Sequence, residues 1–135
     1  MPIKTPHHLW YTSVVAQQAP HSTDPVLRVV FYRTEAGNEP VRQWLKSLER
    51  EDRKIIGHDI KTAQYGWPLG MPLIRKLEPD LWEVRSHIGH GIARTIFTVG
   101  AGIMVLLHGF VKKSQKTPSE DLRTARQRLA DLREE

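Results

Sequence analysis

The sequence predicts an α+β fold, an antiparallel sheet with an N-terminal helical hairpin and a C-terminal helix. Apolar residues recur at helical spacing twice after a first strand-like run. From Leu73 to Lys112 the period shortens to that of strands, and after Thr117 it becomes helical again. Strand, helix, helix, strands and a closing helix is the order of helices packed on an antiparallel meander. At 135 residues the chain is long enough for one domain whose core needs neither disulfides nor a metal.

Residues 1–25 read as an extension to a domain spanning 26–135. Pro2, Pro6, Pro20 and Pro25 break it up, with Gln17, Gln18, Ser22 and Thr23 between. A short helix fits around Leu9 to Gln17, and Trp10 and Tyr11 argue for an apolar surface to rest on. Leu9–Ala16 after Lys4 is too short for a secretory leader and holds Thr12 and Ser13. His7, His8 and His21 read as solvated rather than as metal ligands.

Val26–Arg33 is strand-like, with Leu27, Val29 and Phe31 on one face and Arg28, Val30 and Tyr32 on the other. Asn38-Glu39-Pro40 opens a helix carrying Val41, Trp44, Leu45 and Leu48. A second helix follows, with Ile56, Ile60 and Ala63 along one stripe. Gly66, Pro68, Gly70 and Pro72 form a loop in which Trp67 plugs the core. Strands are then expected at Leu73–Leu77, Leu81–His87, Gly91–Val99 and Ile103–Lys112, with Pro79-Asp80 turning the chain. In the last helix Leu122, Ala125, Leu129 and Leu132 face the sheet, leaving Arg123, Arg126, Arg128 and Arg133 outside.

Lys and Arg number 20 against 15 Asp and Glu, a net charge of +5 that favours a polyanionic partner. Without cysteine there is no thiol nucleophile and no Cys-based zinc site. No apolar run approaches the roughly 20 residues that span a bilayer. A cytoplasmic protein with no metal or other cofactor is the expectation.

The hairpin turns gather the charges. Gly89-His90 fits a two-residue type II′ turn, which sets Arg85 opposite Arg94. A three-residue closure through Gly102 then pairs Val99 with Ile103 and Arg94 with His108. It collects Trp82, Val84, Ala93, Phe97, Val99, Ile103, Val105 and Leu107 on one side. Glu83, Arg85, Arg94 and His108 fall on the other, with Lys112 at the rim. Facing arginines are unfavourable without an anion, supplied either by Glu83 or by a substrate phosphate. Beyond the strand, Lys112, Lys113 and Lys116 precede Thr117-Pro118-Ser119-Glu120, which has the pattern of a capping box. Lysines at a helix N-terminus suit a phosphate.

The segments NEPVRQWLKSL, PLIRKLEPDLWEVR, GIARTIFTV and LLHGFVKKSQKTPSEDLRTARQR resemble the RelE/ParE superfamily of toxins from type II toxin–antitoxin modules, in its phage-related, HigB-like branch. The resemblance runs from Val26 to about Arg133. It implies helices on one face of a sheet and an mRNA endonuclease, ribosome-dependent or not, that needs no metal and inhibits translation. It also implies a cognate antitoxin, a helix-turn-helix protein, as partner. Cleavage would use the RNA 2′-hydroxyl as nucleophile, with Arg85, Arg94, Lys112, Lys113 and Lys116 holding the phosphate. His108 would transfer protons, with Lys76 or Lys113 as alternatives. Lys76, Arg123 and Arg126 are further candidates for RNA contact. The superfamily also implies two alternatives, a gyrase-directed toxin that cleaves nothing and a relative that only binds an antitoxin. Some members use a tyrosine or histidine near the C-terminus, whereas this chain has no Tyr after Tyr65 and no His after His108.

Overall fold

A computed structural model describes residues 24–112 and 117–134. Lys113, Lys116 and the short helix expected around Leu9 to Gln17 lie outside the described residues. The elements are β1 (Arg28–Phe31), α1 (Pro40–Ser47), α2 (Arg50–Gly66), β2 (Ile74–Glu78), β3 (Leu81–Ile88), β4 (Gly91–Gly100), β5 (Ile103–Lys112) and α3 (Ser119–Arg133). This is an α+β fold with N-terminal helices, a central sheet and a C-terminal helix.

The strands lie in the order β1-β5-β4-β3-β2. The sheet is mixed rather than wholly antiparallel, because β1 pairs with β5 in parallel. The helical hairpin returns the chain to the end of the sheet where β1 stopped, so β2 runs opposite to β1. Three further reversals leave β5 running with β1.

Helices cover both faces, not one. Against α1 and α2 lie Leu27, Val84, Ala93, Phe97, Met104 and Leu106, with Val41, Ile56, Ile60 and Ala63 supplied by the helices. Trp67 closes this layer, its ring edge-on to Trp82 at 5.1 Å and to Phe97 at 5.7 Å. Against α3 lie Val30, Tyr32, Leu81, Ile96, Ile103, Val105 and Leu107, with Ala125, Leu129 and Leu132 opposite. The face sorting of β1 and the apolar stripe of α3 are as the sequence predicts.

The β4–β5 hairpin departs from the expected register. It closes through two residues, Ala101 (φ 54°) and Gly102 (φ 76°), so that Gly100 pairs with Ile103. Two left-handed central residues make a type I′ turn, whose twist matches the strands. Ile103, Val105 and Leu107 therefore face α3, opposite to Trp82, Val84, Ala93, Phe97 and Val99. Phe97 pairs with Leu106 but Ile96 pairs with His108, which leaves Leu107 as a bulge. Leu107 and His108 thus both face α3, and Arg94 sits opposite Phe110 rather than His108. The β3–β4 hairpin has the expected pairing, Arg85 opposite Arg94. Its positive φ falls on Gly91 (151°), however, not on Gly89 as a type II′ turn requires.

Candidate functional site

Strand alternation puts Glu83 and Arg85 of β3 and Arg94 of β4 on the α3 face. A second bulge adds to them. Glu78 pairs with Leu81 across the Pro79-Asp80 turn, and an unbroken ladder would then set Lys76 opposite Glu83. The register shifts between Lys76 and Glu78, so Arg75 takes that place. Lys76 is turned to the other face, exposed, with Nζ 5.8 Å from the centre of the Trp82 ring. It does not join the cluster.

Glu83 and Arg94 are both 0 % exposed, and Arg85 is 9 % exposed. The Glu83 carboxylate lies 3.8 Å from Arg85 Nε and 3.7 Å from Arg94 Nη1. Thr117 closes the group from above, its hydroxyl donating to Glu83 Oε1 at 2.9 Å and accepting from Arg94 Nη1 at 3.3 Å. Burial lowers the Arg94 pKa, Glu83 opposes that shift, and the charges of Arg85 and Arg75 reinforce it. Arg94 thus feels one carboxylate and two guanidinium groups. Arg94 is therefore a buried, hydrogen-bonded charge rather than an open phosphate contact.

The capping box is corrected as well. The first helical residue is Ser119, Pro118 stands at the cap, and no side chain caps the helix. The Thr117 hydroxyl is engaged by charged partners in the sheet, and hydrogen bonds to charged groups are stronger than a neutral cap. The first turn of α3 carries Glu120 and Asp121. These carboxylates already sit where the helix dipole favours an anion.

His108 lies beside this group, and both of its ring nitrogens are engaged. Nε2 is 2.7 Å from Asp121 Oδ1, and Nδ1 is 3.4 Å from Arg128 Nη1. Because arginine only donates, Nδ1 accepts and Nε2 carries the proton toward Asp121. The ring also stacks on Phe110, with centres 5.6 Å apart. Arg128 does not stay outside as expected. It donates to the Leu107 carbonyl at 2.7 Å, and its guanidinium lies 5.7 Å from the centre of the Tyr32 ring. Burial lowers its pKa, with Tyr32 and Asp131 opposing. The Tyr32 hydroxyl donates to Asp131 at 2.9 Å, and burial followed by that bond raises the Tyr32 pKa.

The remaining candidates sit around this core. Lys112 ends β5 and is exposed, opposite Ile92. Arg123 is exposed on α3. Arg126 grips Glu78 with two parallel bonds, Nε to Oε2 at 2.9 Å and Nη2 to Oε1 at 2.7 Å. That hydrogen bond is the chief reason the Glu78 carboxyl titrates below its usual range. Arg126 is thus committed to the β2–β3 turn.

The structure brings Arg85 and Arg94 together, with His108 nearby and Lys112 beyond. Sequence reasoning missed Arg75, Thr117, Asp121 and Arg128 as site residues. Asp121 and Arg128 were within reach, because they flank Ala125 at i−4 and i+3 on the buried face of α3. Arg75 was hidden by the bulge. Among the described residues, no three His, Cys, Asp or Glu side chains come together as a metal site would require.

A search of curated proteins found no match to this chain. The family model for phage derived protein Gp49-like (DUF891) matches residues 43–130, which run from α1 through the whole β2–β5 meander into α3. The buried arginines, His108 and most of α3 all fall inside that match, so the chain belongs to the phage-derived, Gp49-like protein family.

Proposed function

We propose that this protein is the toxin of a type II toxin–antitoxin module, of the HigB-like branch of the RelE/ParE superfamily, and that it cleaves mRNA without a metal. The observation that carries the reading is the facing pair Arg85 and Arg94, joined by Arg75 around the carboxylate of Glu83. Fixed cations in a low-dielectric interior project a positive potential toward the end of β5, where Lys112 and Lys113 follow one another. An RNA phosphate drawn there would gain charge stabilisation as its oxygens crowd during attack by the 2′-hydroxyl.

The roles divide accordingly. Arg85 and Arg94 set the field from beneath and touch no substrate. Lys112 and Lys113 contact the phosphate. His108, held between Asp121 and Arg128, is a positioning residue that anchors the start of α3. Lys113 is left as the proton-transfer group, since Lys76 faces the other side of the sheet. The partners are mRNA, on or off the ribosome, and a cognate antitoxin.

The engagement of both His108 nitrogens and the full burial of Arg94 favour a second reading, a relative that binds gyrase or only an antitoxin and cleaves nothing. A translating extract with a labelled reporter mRNA separates the two. On the first reading the wild-type protein and His108→Gln both cut the mRNA, while Lys112→Ala/Lys113→Ala cuts at least 100-fold more slowly, the order expected when a proton-transfer group is lost (about 10²–10⁴-fold). Intact mRNA with every variant, together with inhibited DNA supercoiling, would establish the gyrase reading instead.

A further inference from the structure

We propose that the apolar run Leu9–Ala16 of this chain's own N-terminal segment docks in a groove at the C-terminal end of α2. The groove, of about 520 Å³, is lined by His58, Lys61, Thr62, Tyr65, Gly66 and Leu69. Among the described residues the large apolar side chains left exposed are Val26, Ile55, Tyr65, Leu69 and Met71. Tyr65 and Leu69 line the groove, and Met71 follows two residues on. The surface that lines the groove is mainly apolar.

The occupant is indicated by how the chain enters the domain. The Leu27 N–H donates to the Gln64 carbonyl at 3.1 Å, which fastens the start of the described chain to the last turn of α2. The described chain therefore starts next to Tyr65 and Gly66, two of the residues that line the groove. Between Ala16 and Val26 lie Gln17 to Pro25, a tether that reaches up to roughly 30 Å when extended, ample to lay the run across the groove.

The chemistry agrees. Leu9–Ala16 contains Leu9, Trp10, Tyr11, Val14 and Val15 and no charged residue. The groove offers an aromatic ring and an aliphatic side chain, with the charge of Lys61 held at its edge, 5.9 Å from the centre of the Tyr65 ring. Trp and Tyr each remove a large apolar area from water when covered. A second copy or another protein would have to overcome the loss of translational freedom on association. A segment tethered beside the groove does so at an effective concentration in the millimolar range. The groove lies on the α2 side of the sheet, away from Arg94 and His108, so this inference is independent of the nuclease reading.

The chain has no cysteine, which makes disulfide trapping clean. In the full-length protein, Val14→Cys/Thr62→Cys is expected to close an intramolecular disulfide at least tenfold faster than Val14→Cys/Arg123→Cys, whose second thiol sits on α3. In a second measurement, Tyr65→Asp/Leu69→Asp is expected to speed chymotrypsin cleavage after Trp10 and Tyr11 at least tenfold, with an unchanged melting temperature. Equal cross-linking of the two cysteine pairs would overturn the proposal. So would cross-linked dimers whose yield rises with concentration, which would assign the groove to a second copy. Wild-type cleavage after Trp10 and Tyr11 as fast as in the variant would overturn it too.

Discussion

Arg94 shows how one side chain changes meaning between sequence and structure. Its position opposite Arg85 was legible, because a two-residue loop at Gly89-His90 fixes that pairing. Its burial was not, because Thr117 reads locally as a helix cap and only the folded chain lays it over the sheet. Removing one partner of a buried ion pair leaves the other charge uncompensated, at a cost of about 3–5 kcal/mol. Arg94→Ala and Glu83→Gln are each expected to lose stability of that order in urea titrations. A loss below about 1 kcal/mol, the size of a surface pair, would mean that the two charges are solvated. Lys112→Ala, at an exposed strand end, is expected to change stability by no more than about 0.5 kcal/mol. That makes it the cleaner probe of function.

The partners of His108 act at the same scale. Asp121 and Arg128 take its two nitrogens, so His108→Gln removes hydrogen bonds to charged groups, worth about 1.5–3 kcal/mol each at most. It is expected to lower stability measurably and to leave mRNA cleavage within about threefold of wild type, a change of under 1 kcal/mol in the barrier. A loss of cleavage of 100-fold with the fold intact would return the proton-transfer role to His108.

At the scale of elements, turns and bulges decide which residues meet. Most strand and helix positions could be read from periodicity and turn residues: Ile103–Lys112 is one strand, and Glu39-Pro40 opens α1 as expected. The bulges at Lys76–Glu78 and at Leu107 could not, since an extra residue in a strand leaves no mark in composition. The first turned Lys76 out of the site, and the second, after the two-residue turn at Ala101-Gly102, brought His108 to the α3 face opposite Ile96. The Ala101-Gly102 turn is testable directly. Alanine in the left-handed region costs about 1–2 kcal/mol relative to residues that accept it, and asparagine is the preferred partner of glycine in a type I′ turn. Ala101→Asn is expected to raise the urea midpoint by the equivalent of about 0.5–1 kcal/mol.

Gly109 is the matching negative case. A Cβ there would meet the Trp44 ring at 2.1–2.7 Å, so β5 and α1 pack directly through this glycine. Gly109→Ala is expected to destabilise by at least the roughly 1–3 kcal/mol typical of overpacking. Pairing it with Trp44→Leu should recover part of the loss. Strict additivity in that double-mutant cycle would contradict the contact.

For the whole molecule, the mixed sheet sits between two helical layers, and the buried charges of the sheet, Glu83, Arg85 and Arg94, lie on its α3 side. The Gp49-like family match covers the meander and most of α3, the part of the chain that builds the arginine cluster. No helix among the described residues is long and apolar enough to cross a membrane. Outside the cluster, the Arg126–Glu78 pair ties α3 to the β2–β3 turn. A carboxylate whose folded pKa is depressed contributes stability that is present above its unfolded pKa and lost as pH falls through the folded one. Wild-type stability should therefore fall more steeply than that of Glu78→Gln below about pH 5. Parallel acid limbs in pH-dependent urea titrations would show that the pair contributes nothing to folding.

On the proposed function, the cationic end of β5, backed by buried arginines, serves RNA cleavage. The most direct measurement is induction of the wild-type protein and of Lys112→Ala/Lys113→Ala in cells, with transcriptome-wide mapping of new mRNA 5′ ends. Growth arrest with new ends inside coding regions is expected for the wild type, and neither for the variant. Growth arrest by the wild type without new mRNA ends would contradict it.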